Sequence, residues 1–220
     1  LDTNRVYLTG HSMGGFMASH MNCTSTSFTA YGGSGGGIAS GYTIGNGFED
    51  LCSVENGTYP NPMIITHGMA DNIVPFEWAI FNLYHFLLLN RCDGITPWPY
   101  DYDWPIFSDT GYYWEDPEDD LEEIIDYVFS IADTTSYYPG LLERYQWSNG
   151  CLGGQAALEA IMLPNEQHAW HQTWNSQIES QLEHWNFLKQ FSKAEMGPIL
   201  DSLALPVSEI LDEDYYVNGE

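Results

Sequence analysis

The chain has 220 residues, 44% hydrophobic and 15% aromatic, enough to bury one sizeable core, and its length predicts a single domain. Its 31 acidic residues against 5 basic ones give a net charge of −26, which repels phosphate backbones and anionic lipid and argues against nucleic-acid binding. No run approaches the roughly 18 consecutive apolar residues of a membrane span, and the opening residues lack the order of a signal peptide.

The first residue is Leu1, and the opening reads like the middle of a domain, so an upstream segment is expected. The four cysteines, Cys23, Cys52, Cys92 and Cys151, never form C-x-x-C, which argues against a zinc ribbon or a thioredoxin-type site, while their even number permits two disulfides. Asn22-Cys23-Thr24 and Asn56-Gly57-Thr58 are N-glycosylation sequons; with the cysteines they tilt the expectation towards an extracellular protein.

In chain order, residues 5–9 (RVYLT) form an apolar, β-branched run ending at a glycine and predict a buried strand. A helix is expected next, with Phe16, Met17, His20 and Met21 turned to the sheet. Residues 28–31 (FTAY) predict a second strand, and the glycine-rich 32–37 its C-terminal loop. That loop lacks the phosphate-cradling G-x-x-x-x-G-K-[ST], and no G-x-G-x-x-G with an acidic partner about 20 residues on is present. Residues 62–67 (PMIITH) predict a third strand and 77–89 a helix. This β/α alternation predicts an α/β fold with a mostly parallel sheet, helices on both faces, and ligands at the C-terminal strand ends.

Residues 96–140 break the rhythm and read as an insertion, with Trp98, Tyr100, Tyr102, Trp104, Tyr112, Tyr113 and Trp114 interleaved with acids. The carboxylate-rich 115–126 carries Leu121, Ile124 and Ile125 and reads as a solvated acidic helix with aromatic anchors, or as a lid or substrate platform. Asp116, Glu118, Asp119 and Asp120 do not follow the EF-hand pattern, so no calcium ligand set is assigned. An apolar stretch at 160–163 leads into a loop carrying His168 and Trp170. Residues 176–191 predict an amphipathic helix with Ile178, Leu182, Trp185, Leu188 and Phe191 apolar, and 192–220 an acidic tail, so the domain is expected to end at residue 191.

The chemistry concentrates at Gly10-His11-Ser12-Met13-Gly14. In G-x-S-x-G a serine sits on a strained strand-to-helix turn, which the two glycines leave room for, and here the motif lies between a predicted strand and a predicted helix. The backbone N–H of Met13, opening that helix, is placed to donate to a developing oxyanion. A serine hydroxyl needs a base to take its proton and a third group to orient that base. In this architecture the acid and then the histidine follow the serine in chain order. Asp71, in the turn beyond the third strand, fits the acid. The base must come later, which leaves His85, His168, His171 and His184; His85 and His184 lie within helical apolar patterns, and the loop run 163–170 after the apolar stretch 160–163 favours His168, with His171 the alternative. No metal or cofactor is expected.

These pieces resemble a known family, the secreted polyhydroxybutyrate depolymerase and feruloyl esterase group of α/β hydrolases. The matching residues are Asp2-Thr3-Asn4-Arg5-Val6-Tyr7 leading into Gly10-His11-Ser12-Met13-Gly14-Gly15, then His67-Gly68-Met69-Ala70-Asp71 with Val74-Pro75, then Trp147 and Cys151 before His168-Ala169-Trp170. The resemblance implies catalytic Ser12, Asp71 and His168, with His11 and Trp170 at the substrate. It also implies secretion, and small or polymeric ester substrates such as hydroxyalkanoates or hydroxycinnamoyl-polysaccharide esters. A second oxyanion donor is expected from upstream strands. Resemblance and position together suggest a Cys92–Cys151 disulfide bracketing the insertion and a Cys23–Cys52 disulfide behind the nucleophile helix. A serine peptidase of the same fold and a non-catalytic binding module derived from it are the alternative functions.

Overall fold

The structure is a computed structural model that describes residues 2–37, 61–95, 107–108, 111–112, 117–152, 154, 156–172 and 178–194. Its strands are β1 (Tyr7–His11), β2 (Ala30–Ser34), β3 (Met63–Gly68), the short β4 (Phe107–Ser108) and β5 (Gly111–Tyr112), β6 (Thr134–Tyr138), β7 (Leu142–Trp147) and β8 (Leu158–Leu163). Its helices are α1 (Met13–Thr24), α2 (Phe76–Leu89), α3 (Pro117–Ser130) and α4 (Ser180–Leu188). Six strands make one mixed sheet in the order β1-β2-β3-β8-β7-β6, and β4 pairs with β5 in a separate hairpin. The pairs β1–β2, β2–β3 and β3–β8 are parallel, whereas β8–β7 and β7–β6 are antiparallel.

Alternation along the central strands divides the core in two. Tyr31, Met63, Ile65, Leu158, Ala160 and Met162 face α2, α3 and the end of α1, while Ala30, Ile64, Ile161 and Leu163 face α4 with Phe187 and Leu188. Both faces are thus covered by helices, which is why β3 and β8 are buried along their whole length. The α/β class expected from the β/α alternation is therefore present, with an antiparallel extension at one side.

Several elements sit differently from their sequence signals. The first strand is two residues further on than 5–9. The second runs through Ala30–Ser34, so Gly32 and Gly33 are buried strand residues and not part of a loop. Gly32 has a steric reason: a Cβ there would lie 2.6 Å from His184 Nδ1 on α4. Helix α1 turns Gly15, Ala18, Ser19, Asn22 and Cys23 to the sheet and leaves Met17 exposed, because small residues allow the closer approach. Its buried Asn22 accepts a hydrogen bond from Asn61 Nδ2 at 3.1 Å, so the first sequon is no glycan acceptor in the folded chain. The other sequon, at Asn56, lies outside the described residues.

Helix α4 is shorter than 176–191 and buries Ser180, His184, Phe187 and Leu188, leaving Leu182 and Trp185 exposed. The main sheet also reaches into the stretch 96–140, since β6 is its edge strand. The acidic helix α3 is anchored by buried Ile124 and Val128, and Phe129 stacks on Tyr145 of β7 with centroids 4.0 Å apart. The tyrosine and tryptophan side chains of 98–114, and the tail beyond residue 194, lie outside the described residues.

Cys92, just after α2, and Cys151, just before β8, form a disulfide. Cys23 carries no free thiol, and its expected partner Cys52 lies outside the described residues. No helix among the described residues is long and apolar enough to cross a membrane.

Candidate active site

The C-terminal ends of β1, β3 and β8 bring three side chains together. Ser12 follows β1 directly and has φ 54° and ψ −119°, a left-handed conformation that costs a non-glycine residue on the order of 1–3 kcal/mol. The turn is held on both sides. Ser12 N–H donates to the Ser34 carbonyl at 2.8 Å, while the Ser12 carbonyl accepts from Gly15 N–H at 2.8 Å and Phe16 N–H at 3.1 Å. A Cβ at Gly10 would lie within 2.8 Å of Gly14 Cα, so the turn closes only with glycine there; at Gly14 the same space is open, and only the first of the two glycines is sterically required.

Asp71 stands in the turn after β3, its backbone N–H on the Gly68 carbonyl at 3.2 Å. Its Oδ1 accepts from the N–H groups of Ile73 at 2.8 Å and Val74 at 2.9 Å. Its Oδ2 accepts from His168 Nδ1 at 2.7 Å, and His168 Nε2 lies 2.9 Å from Ser12 Oγ. Burial raises the affinity of the Asp71 carboxyl for a proton, but the two backbone N–H groups and His168 outweigh it and hold the group below its ordinary range. An ionised Asp71 requires the proton on His168 Nδ1, which leaves Nε2 as the acceptor for the Ser12 hydroxyl. A serine oxygen, an imidazole and an orienting carboxylate in line are the parts a nucleophile needs to lose its proton at neutral pH.

The loops carrying Asp71 and His168 are tied to each other: Met69 N–H donates to the Leu163 carbonyl at 2.9 Å and Ala70 N–H to the Glu166 carbonyl at 3.0 Å. Gly68 makes this crossing possible, because a Cβ there would come 2.8 Å from the Glu166 carbonyl carbon and 2.9 Å from the Gln167 oxygen. Gly68 was visible in the sequence only as part of the run His67 to Asp71, without its role in the loop crossing, and Ser34, whose carbonyl braces the Ser12 turn, did not stand out. Their importance arises from approaches between segments far apart in the chain.

Of the remaining expected residues, Met13 opens α1 with its side chain exposed, and among the described residues its N–H makes no backbone hydrogen bond. A helix N-terminus with a free N–H favours developing negative charge. His11 donates from Nδ1 to the Ser34 carbonyl at 3.1 Å and lies against the His168 ring. Trp170 commits its indole N–H to Gln181 Oε1 at 2.8 Å and meets His11 and His184 edge-on.

His171, the alternative base, is buried and directed to Glu166, with 3.9 Å between Nδ1 and Oε2. His184 is buried on α4, bridging Thr9 Oγ1 at 2.6 Å and Thr66 Oγ1 at 3.0 Å, and burial pushes its pKa down to about 3. Burial likewise lowers His11, His67 and His171. Among the described residues no group of three or more His, Cys, Asp or Glu side chains is arranged to hold a metal. Neither a family model nor a curated protein matches the chain.

Proposed function

We propose that the chain is a serine hydrolase of the α/β-hydrolase fold that cleaves carboxylic esters through an acyl-enzyme on Ser12. The observation that carries this reading is the continuous hydrogen-bonded line from Ser12 Oγ through His168 to Asp71, with Ser12 on a strained turn between β1 and α1. In the proposed reaction Ser12 Oγ bonds to the carbonyl carbon as its proton passes to His168 Nε2. The oxyanion forms opposite the Met13 N–H. The intermediate collapses, breaking the bond to the alcohol oxygen, which leaves with the proton held on His168. Water then repeats the sequence on the acyl-enzyme and frees the acid and Ser12.

The preference for esters over peptides, and membership of the polyhydroxybutyrate depolymerase and feruloyl esterase group, rest on the motif resemblance in Asp2 to Trp170. Hydroxyalkanoate and hydroxycinnamoyl esters are the substrate classes it suggests. The Cys92–Cys151 disulfide supports an oxidising, extracellular setting.

Hydrolysis of a neutral aryl ester, run beside a peptide panel, tests the proposal. Ester turnover is expected in the native chain and a loss of at least about 10³-fold in Ser12→Ala. Turnover of peptides alone would favour the peptidase, and equal ester turnover in Ser12→Ala would remove Ser12 from the chemistry.

A further inference from the structure

The two hydrogen bonds on His168 depend on the angle of its ring. They act at opposite nitrogens, to Asp71 on Nδ1 and to Ser12 on Nε2, and the Cβ–Cγ bond ties the ring to its loop, so the motion that remains is a small rocking about the side-chain torsions. Rocking tilts the Nε2 lone pair away from Ser12 Oγ, and hydrogen bonds weaken steeply with misalignment. A flat group packed on the ring limits it.

We propose that His11 is a positioning residue that supplies this flat group, acting on turnover through His168. The proposal rests on the hydrolase reading above. The centroids of the His11 and His168 rings are 4.8 Å apart and their planes are tilted by 36°. His11 is itself anchored: Nδ1–H donates to the Ser34 carbonyl, the same oxygen that accepts the Ser12 N–H, so the nucleophile turn and the wall behind the base share one attachment point on β2. The edge of Trp170 closes the outer side, with its ring centroid 5.8 Å from that of His11.

Gly35 is the floor on which both rings sit. Its φ is +53°, and a Cβ there would lie 3.0 Å from His11 Cε1 and 3.4 Å from His168 Cε1. The wall is also electrically suited to its place: burial, and then the charge of His168, disfavour a proton on His11. A neutral neighbour does not repel the imidazolium that forms when Ser12 gives up its proton. Nδ1 is committed to Ser34, and the role proposed for His11 is exerted through His168, distinct from the substrate contact that the resemblance implies.

The experiment measures kcat and KM for a neutral aryl ester with the native chain and the variants His11→Phe, His11→Leu and His11→Ala, each checked for a native unfolding midpoint. Phe keeps a flat ring without a hydrogen bond, and Leu keeps the bulk without a flat face. The expected result is a fall in kcat of about 10- to 100-fold in Leu and Ala with KM within about 2-fold of native, and recovery of most of the lost kcat in Phe. If Ala does not fold, the contrast between Phe and Leu decides alone. A raised KM with unchanged kcat would make His11 a substrate contact and overturn the proposal, as would a Phe variant no faster than Leu. A native chain with no ester turnover would overturn the hydrolase reading, and this inference with it.

Discussion

At the residue scale, the proposed site divides into groups placed to react and groups that hold them still. Asp71 accepts three hydrogen bonds, two from the backbone and one from His168, so its position is fixed before any substrate arrives. Asp71→Asn keeps the shape and can still accept from Ile73 and Val74, but presents an N–H where His168 Nδ1 needs an acceptor. The imidazole is then pushed to the other tautomer, with its Nε2 proton facing Ser12. A fall in kcat of about 10³–10⁴-fold with little change in thermal midpoint is expected; steady-state kinetics and calorimetry on the variant check it. Ser12, Asp71 and His168 were legible in the sequence because a spacing motif and chain order single them out. The contact of His11 with His168 was not legible, since it joins positions 157 residues apart and depends on a glycine at position 35.

At the element scale, the site is a meeting of three strand ends, and its precision comes from how closely the following loops cross. Gly68→Ala tests this most locally. The new Cβ would press on the Glu166 and Gln167 carbonyls and separate the Asp71 loop from the His168 loop. The expected cost is about 1–3 kcal/mol of stability by overpacking. A fall in kcat of at least about 10-fold by misplacement should accompany it. Denaturant titration and ester kinetics on one preparation read both, and native kcat would show that the loops tolerate the shift.

Strands β1, β2 and β3 were visible as short apolar runs before glycines, and β8 only as the apolar stretch 160–163 before Pro164. The β6–β7 hairpin was not, because TTSYY is exposed along its length and LERYQW is mostly half-buried, so neither shows a clean apolar pattern. On α1 hydrophobic periodicity points to Phe16, Met17, His20 and Met21; Met21 does pack against the core, whereas the closest approach selects the small side chains and leaves Met17 exposed.

At the scale of the whole molecule, buried histidines link stability to pH. His184 is neutral between Thr9 and Thr66, with a pKa of about 3 in the folded chain against about 6.5 when unfolded. Between those values the unfolded chain binds a proton that the folded chain refuses. Stability from this group is therefore complete above about pH 6.5 and falls as the pH drops towards 3, by about 1.4 kcal/mol per unit within the window. His11, His67 and His171 shift in the same direction, and Asp71, held below its ordinary range, adds to the loss at the acid end. Urea unfolding from pH 7 to 4.5 should show a shallower decline in His184→Gln than in the native chain. Identical slopes would mean that His184 takes its proton while folded.

In the proposed function Ser12 is a nucleophile activated by His168. The most direct measurement is reaction with a fluorophosphonate, followed by intact mass and peptide mapping. One adduct on Ser12 is expected in the native chain, with none in Ser12→Ala and a rate at least about 10²-fold lower in His168→Ala. Labelling that persists in Ser12→Ala, or a native chain left unmodified, would contradict it.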